Sequence, residues 1–213
     1  MFRTVILSAF LLLNLNMFGQ TVKINYLEAM ETDIPSQLSI RLDQKTYLKM
    51  VVSSDFASKE EVALTHYKCQ DGIVSKTDLS DFPIQTSISL DKGKDSLVVE
   101  VMMQQVQDSV SIAFAINGKV RDLAIPRNYV IPFKDGGQQR YILMETIIDT
   151  PVTLEDEIPL FAVTSGITQR LQYGEMKLFG QDFCGLRDKH SHPEIWHTVD
   201  GVQNYSFYTI SFK

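Results

Sequence analysis

Residues 188–197 read "DKHSHPEIWH" and gather three of the chain's four histidines beside Asp188, Glu194 and the only tryptophan, Trp196. His190 and His192 form an H-x-H pair. In an extended backbone this spacing directs both imidazoles to one side, which is how sheet-based metal sites collect two nitrogen ligands. Pro193 biases His192 toward that extended conformation. His197, Asp188, Asp182 or Glu194 would supply a third ligand, and a fourth position left to water gives the arrangement of a catalytic zinc. The chemistry would be metal-assisted hydrolysis, with zinc or another divalent cation as cofactor and Asp188 or Glu194 as third ligand or general base.

The spacing departs from the better-known patterns. Glu194 stands two residues after His192, where a cupin-type motif has its glutamate three or four residues on, and Glu194-Ile195 replaces the Asp-His of the metallo-β-lactamase pattern. H-E-x-x-H is absent. A second arrangement would use His66, Cys69, Cys184 and His190 as a four-ligand structural zinc site, and requires a helix around residue 66 to place His66 and Cys69 on one face. It competes with a disulfide between Cys69 and Cys184, the natural pairing for two cysteines in an oxidising compartment. The simpler reading, which the sequence favours, is a polar surface loop with His190 and His192 solvated, Trp196 packed down as its anchor, and no cofactor.

Other catalytic templates are missing, among them G-x-S-x-G, a phosphate-cradling glycine loop and a dinucleotide fingerprint. The run Glu155-Asp156-Glu157 reads as a solvated loop, since a general acid needs a raised pKa and hence burial. Trp196, Tyr205 and Tyr208 raise a non-enzymatic possibility, a carbohydrate-binding module, which requires an exposed coplanar pair of rings including Trp196. Tyr205 and Tyr208 fall on opposite sides of a regular strand, so core packing is expected for most of these rings.

The elements that must position these groups repeat with a period of two. "TVKINY" places Val22, Ile24 and Tyr26 on one side, and "QLSIRLD" does the same with Leu38, Ile40 and Leu42. "TYLKMVVS", "QTSISLD" and "SLVVEVMM" continue the alternation, with turn signals about ten residues apart, as in a sandwich or barrel. In "SVSIAFAINGKVRDLAI" the alternation stops at Asn117-Gly118, a pair suited to the positive φ angles of a type I′ hairpin turn. A further hairpin is expected around Asp135-Gly136-Gly137, with Pro132 pushing its first strand to an edge. "SKEEVALTHYKCQDG" fits a capped helix or a strand, and its strand-rich neighbours favour the strand. The two prolines and the acidic run of "TPVTLEDEIPLF" mark the place for a sub-boundary near 150–158 within a single domain spanning 20–213.

The N-terminus has the layout of a secretory signal peptide over residues 1–19: Arg3, then the apolar stretch "VILSAFLLL", then a small residue at Gly19. The apolar part is shorter than the ~20 residues of a membrane span, so stable membrane insertion is not expected after cleavage. No cysteine stands near the cut, which argues against a lipoprotein. Losing Arg3 with the leader shifts the formal charge from −6 to −7, and no basic run marks a nucleic-acid surface.

The sequence therefore predicts an all-β antiparallel sandwich, immunoglobulin-like or jelly-roll-like, with room for a small C-terminal appendage. Its role would be that of an exported bacterial binding or structural module, periplasmic or surface-associated, with a protein or glycan partner. The alternatives are a small metal-dependent hydrolase using His190, His192 and His197, and the carbohydrate-binding module.

Overall fold

Alternating apolar residues become strands whose inward side chains meet across two stacked sheets. The computed structural model describes residues 20–27, 45–77, 87–90, 93–106, 109–125, 140–147 and 149–213. The leader, the segment around Leu38–Leu42 and the turn at 135–137 with Pro132 lie outside the described residues.

The first sheet contains β1 (Thr21–Leu27), β2 (Lys45–Ser53), β6 (Ser96–Val106), β7 (Ser109–Ile116), β8 (Lys119–Ile125) and the short β10 (Val152–Thr153), in the order β10-β1-β2-β6-β7-β8. The second contains β3 (Glu61–Gln70), β4 (Ile73–Thr77), β9 (Ile142–Glu145), β11 (Ile158–Thr164) and β14 (Tyr205–Phe212), in the order β4-β3-β14-β11-β9, with β5 (Ser87–Ser89) also paired to β3. A separate hairpin joins β12 (Ile167–Tyr173) to β13 (Met176–Asp182). Every pairing is antiparallel. The expected all-β sandwich is thus the fold, and residues 184–200 form its small helical appendage.

The core between the sheets follows the alternation. Met50 and Val52 of β2, Val99 and Val101 of β6, and Ile112, Phe114 and Ile116 of β7 face Phe161, Tyr208 and Ile210 of the second sheet. Asn117 and Gly118 form the expected hairpin turn, with φ of 48° and 77°, and Asn117 Oδ1 accepts from Val98 N at 3.0 Å. Residues 61–70 are a strand, paired to β14 and β4, and the turn after it uses Asp71 and Gly72 at positive φ. Residues 150–158 link the sheets: β10 belongs to the first and β11 to the second, and Asp156 Oδ2 accepts from Thr153 N at 2.6 Å to close the turn between them.

The second sheet is covered on both sides. Tyr208, Ile210 and Phe212 of β14 enter the main core, while Tyr205 and Phe207 enter a second cluster with Cys69, Met144, Ala162, Leu186, Trp196 and Val202. A β-bulge between Pro159 and Phe161 lets both Leu160 and Phe161 face the main core. His66, Tyr208 and Phe161, neighbours on β3, β14 and β11, stack ring on ring at 4.5 and 4.6 Å. Burial pushes the His66 imidazole down to a pKa of about 4.

Candidate functional site

The histidine segment is assembled on the outer face of the second sheet. Helix α1 (Cys184–Arg187) starts where Asp182 Oδ1 accepts from Gly185 N at 2.8 Å, and its Arg187 pairs with Glu145 of β9 at 3.1 Å. Asp182, a candidate ligand, therefore caps a helix, and its Oδ2 also accepts from Gln169 Nε2 at 2.9 Å. A single 3-10 turn (Pro193–Ile195) and one π turn (Trp196–Asp200) follow, and Gly201 ends the latter at φ 71°.

Trp196 is the anchor, as the simpler reading expects. It is 2% exposed, packs on Tyr205 at 5.3 Å between ring centres, and donates from Nε1 to Ser191 O at 3.0 Å. The Tyr205 hydroxyl donates to Pro193 O beneath it. Asp200 has a fully buried carboxylate, held by Lys189 Nζ at 3.1 Å and by the Ser191 hydroxyl at 2.9 Å. A buried carboxylate needs such partners, because an uncompensated charge there costs several kcal/mol. These bonds hold residues 189, 191, 193, 196 and 200 as one framework.

The histidines point to separate places. His190 has a left-handed backbone, φ 48°, so the H-x-H pair is not extended and its rings do not share a side. Its Nδ1 meets Asp149 Oδ1 at 2.9 Å, on the connection between β9 and β10. His192 is extended, as Pro193 dictates, and caps the 3-10 turn: its Nδ1 accepts from Glu194 N at 3.3 Å and its ring stands edge-on to Phe207. Burial lowers its pKa, with the nearby Glu194 and Glu157 charges opposing. His197 lies over the β3–β4 turn, where a Cβ on Gly72 would stand 3.5 Å from its ring. Asp188 ends helix α1 and is exposed, as is Glu194. Among the described residues no group of three or more histidines, cysteines or acids is gathered as a metal site.

The cysteine expectations also meet a different arrangement. Both thiols are free: Cys69 is buried opposite Tyr205, and Cys184 is exposed. Helix α1 turns Leu186 toward the cluster that holds Cys69, and Cys184, two residues earlier, points away. Because residues 61–70 are a strand, His66 and Cys69 occupy opposite faces, so the four-ligand zinc arrangement is not formed. Trp196, Tyr205 and Tyr208 are all buried, so the exposed ring pair that a Trp196 sugar platform requires is not formed either.

Asp149 leads to a feature that residue spacing did not signal. It lies at the mouth of a crevice of about 360 Å³ between β1 and the connection from β9 to β10. Ordinary aliphatic side chains wall this crevice, which explains why no motif pointed to it. Comparison with family models, curated proteins and solved structures finds no match to this chain.

Proposed function

We propose that this chain is an exported, non-catalytic binding module, carried to the periplasm or cell surface by residues 1–19 as a cleaved leader. Arg3 followed by an apolar stretch and Gly19 supports export. The observation that carries the non-catalytic reading is the divergence of the three histidines: His190 engages Asp149, His192 caps a turn, and His197 packs over Gly72. A metal-dependent hydrolase would need His190, His192 and a carboxylate around one point with an open coordination position. These residues instead hold separate positions within a framework centred on Trp196.

Mass spectrometry tests both parts. The secreted chain should begin at Gln20, and the mature protein, purified without a histidine tag, should hold no stoichiometric zinc, manganese or iron, even after zinc is added and the excess removed. Near-stoichiometric metal that disappears in a His190→Ala, His192→Ala double variant would overturn the reading in favour of the hydrolase.

A further inference from the structure

β9 is an outer strand of the second sheet, and in the first sheet β1 has only the two-residue β10 beyond it. β10 pairs only with Thr21 and Val22 of β1, so among the described residues the same edge carries no strand from Ile24 onward. Among the described residues a crevice is left there. Val22, Ile24, Ile147 and Val152 form the walls of the crevice, and Tyr26 and Thr146 line it as well. The volume, about 360 Å³, lies at the lower end of the ~300–1,000 Å³ typical of small-molecule sites.

The polar groups of this crevice are few and differ in how they are satisfied. The Tyr26 hydroxyl donates to Leu160 O at 2.8 Å and accepts from Thr146 N at 3.3 Å, bridging the two sheets. Leu160 is the residue left over at the bulge in β11, outside the β11–β14 register, and its carbonyl takes this bond. Thr146 is 2% exposed, and its Oγ1, beside the Tyr26 hydroxyl, makes no well-formed hydrogen bond among the described residues. An unsatisfied buried hydroxyl costs the fold free energy. Rotation about χ1 exchanges its hydroxyl and methyl groups, which would present the oxygen to a guest. At the mouth stand Ile147, 39% exposed, and the carboxylate of Asp149, positioned by His190.

We propose that this crevice is a binding site for a small apolar molecule carrying one hydroxyl or amine group. The aliphatic walls take the apolar body, and Thr146 or Asp149 takes the polar group. The limited volume favours a compact ring or short chain over a peptide segment. A larger hollow, about 420 Å³, is bordered instead by Lys23, Asp55, Lys94 and Asp95, a charged rim unlike the valines and isoleucines of the crevice. The proposal rests on the binding-module reading and assigns it a ligand class.

Benzyl alcohol, with toluene as its apolar control, serves as the probe in a methyl-detected NMR titration of the mature chain. Saturable shifts should gather on the methyl groups of Val22, Ile24, Ile147 and Val152. Thr146→Val should weaken benzyl alcohol about fivefold to tenfold, the loss of one hydrogen bond, and leave toluene unchanged. Ile147→Trp, at an exposed position that tolerates a larger side chain, should block the mouth and weaken both probes about tenfold. Shifts that are absent, scattered, or the same in both variants as in the parent would overturn the site. That failure, with His190 and His192 metal-free, removes this site alone; stoichiometric metal at those histidines would remove the binding-module reading itself.

Discussion

The C-terminal segment of residues 184–204 and the crevice beside β1 invert what their residues suggest. The first has histidines, acids, a thiol and the tryptophan, and most of these groups hold the segment to itself or to the second sheet: Trp196 to Ser191 and Tyr205, Asp200 to Lys189 and Ser191, His192 to Glu194. The second has valine, isoleucine, threonine, one aspartate and one tyrosine, and leaves open space beside a buried hydroxyl that makes no well-formed hydrogen bond among the described residues. Chemistry-bearing residue types mark a site only where their bonding capacity is left over. Among the described residues both regions hold a buried polar atom without a well-formed hydrogen bond, His197 Nδ1 in the first and Thr146 Oγ1 in the second, and the second adjoins open space.

Removing the anchor of the first region should have the largest effect. Trp196→Ala deletes a side chain that is 2% exposed from the cluster on the outer face of the second sheet, and should cost about 3–5 kcal/mol in denaturant unfolding. A loss below about 1 kcal/mol would mean that the segment is not packed as described. Acid comes next. Because burial lowers the His66 pKa from 6.5 to about 4, the unfolded chain binds the proton more readily. Stability should be complete above pH ~6.5 and fall by up to about 3 kcal/mol as pH drops toward 4. His66→Phe keeps a ring against Tyr208 and should remove that part of the acid sensitivity; an unchanged pH profile would place the effect elsewhere.

Smaller effects sharpen the contrast. Thr146→Val replaces a buried hydroxyl that makes no well-formed hydrogen bond by a methyl group, so thermal unfolding should show stability unchanged or raised by up to about 1 kcal/mol. A clear loss would reveal a partner for that oxygen and weaken the case for the crevice. The His190→Ala, His192→Ala double variant should lose about 1 kcal/mol or less, since the His190–Asp149 pair is exposed and such pairs contribute little. A much larger loss would make the histidines central to the framework.

The fold was legible where the pattern is local. Val110, Ile112, Phe114 and Ile116 announce a half-buried strand, and Asn117-Gly118 announces its turn, because alternation and positive φ are properties of adjacent residues. Residues 58–72 were ambiguous because their strand is settled by pairing with β14, whose Tyr208 lies far along the chain opposite His66. The candidate site was legible only in part. Pro193 dictated the extended His192 and Trp196 was readable as an anchor, but nothing local announces the left-handed backbone of His190, which turns the pair apart. Asp149, 41 residues before His190, joins it only through the tertiary fold. The crevice was invisible for the same reason: it is a gap between a strand and a connection far along the chain, and a gap has no residue of its own.

Because Trp196 is the only tryptophan, its fluorescence reports on the histidine segment directly. The measurement to make is its emission in the native mature protein, titrated first with iodide and then with zinc. The framework described predicts blue-shifted emission that iodide barely quenches and that stoichiometric zinc leaves unchanged. Emission that iodide quenches freely, or that one equivalent of zinc alters in the parent but not in the His190→Ala, His192→Ala variant, would contradict it.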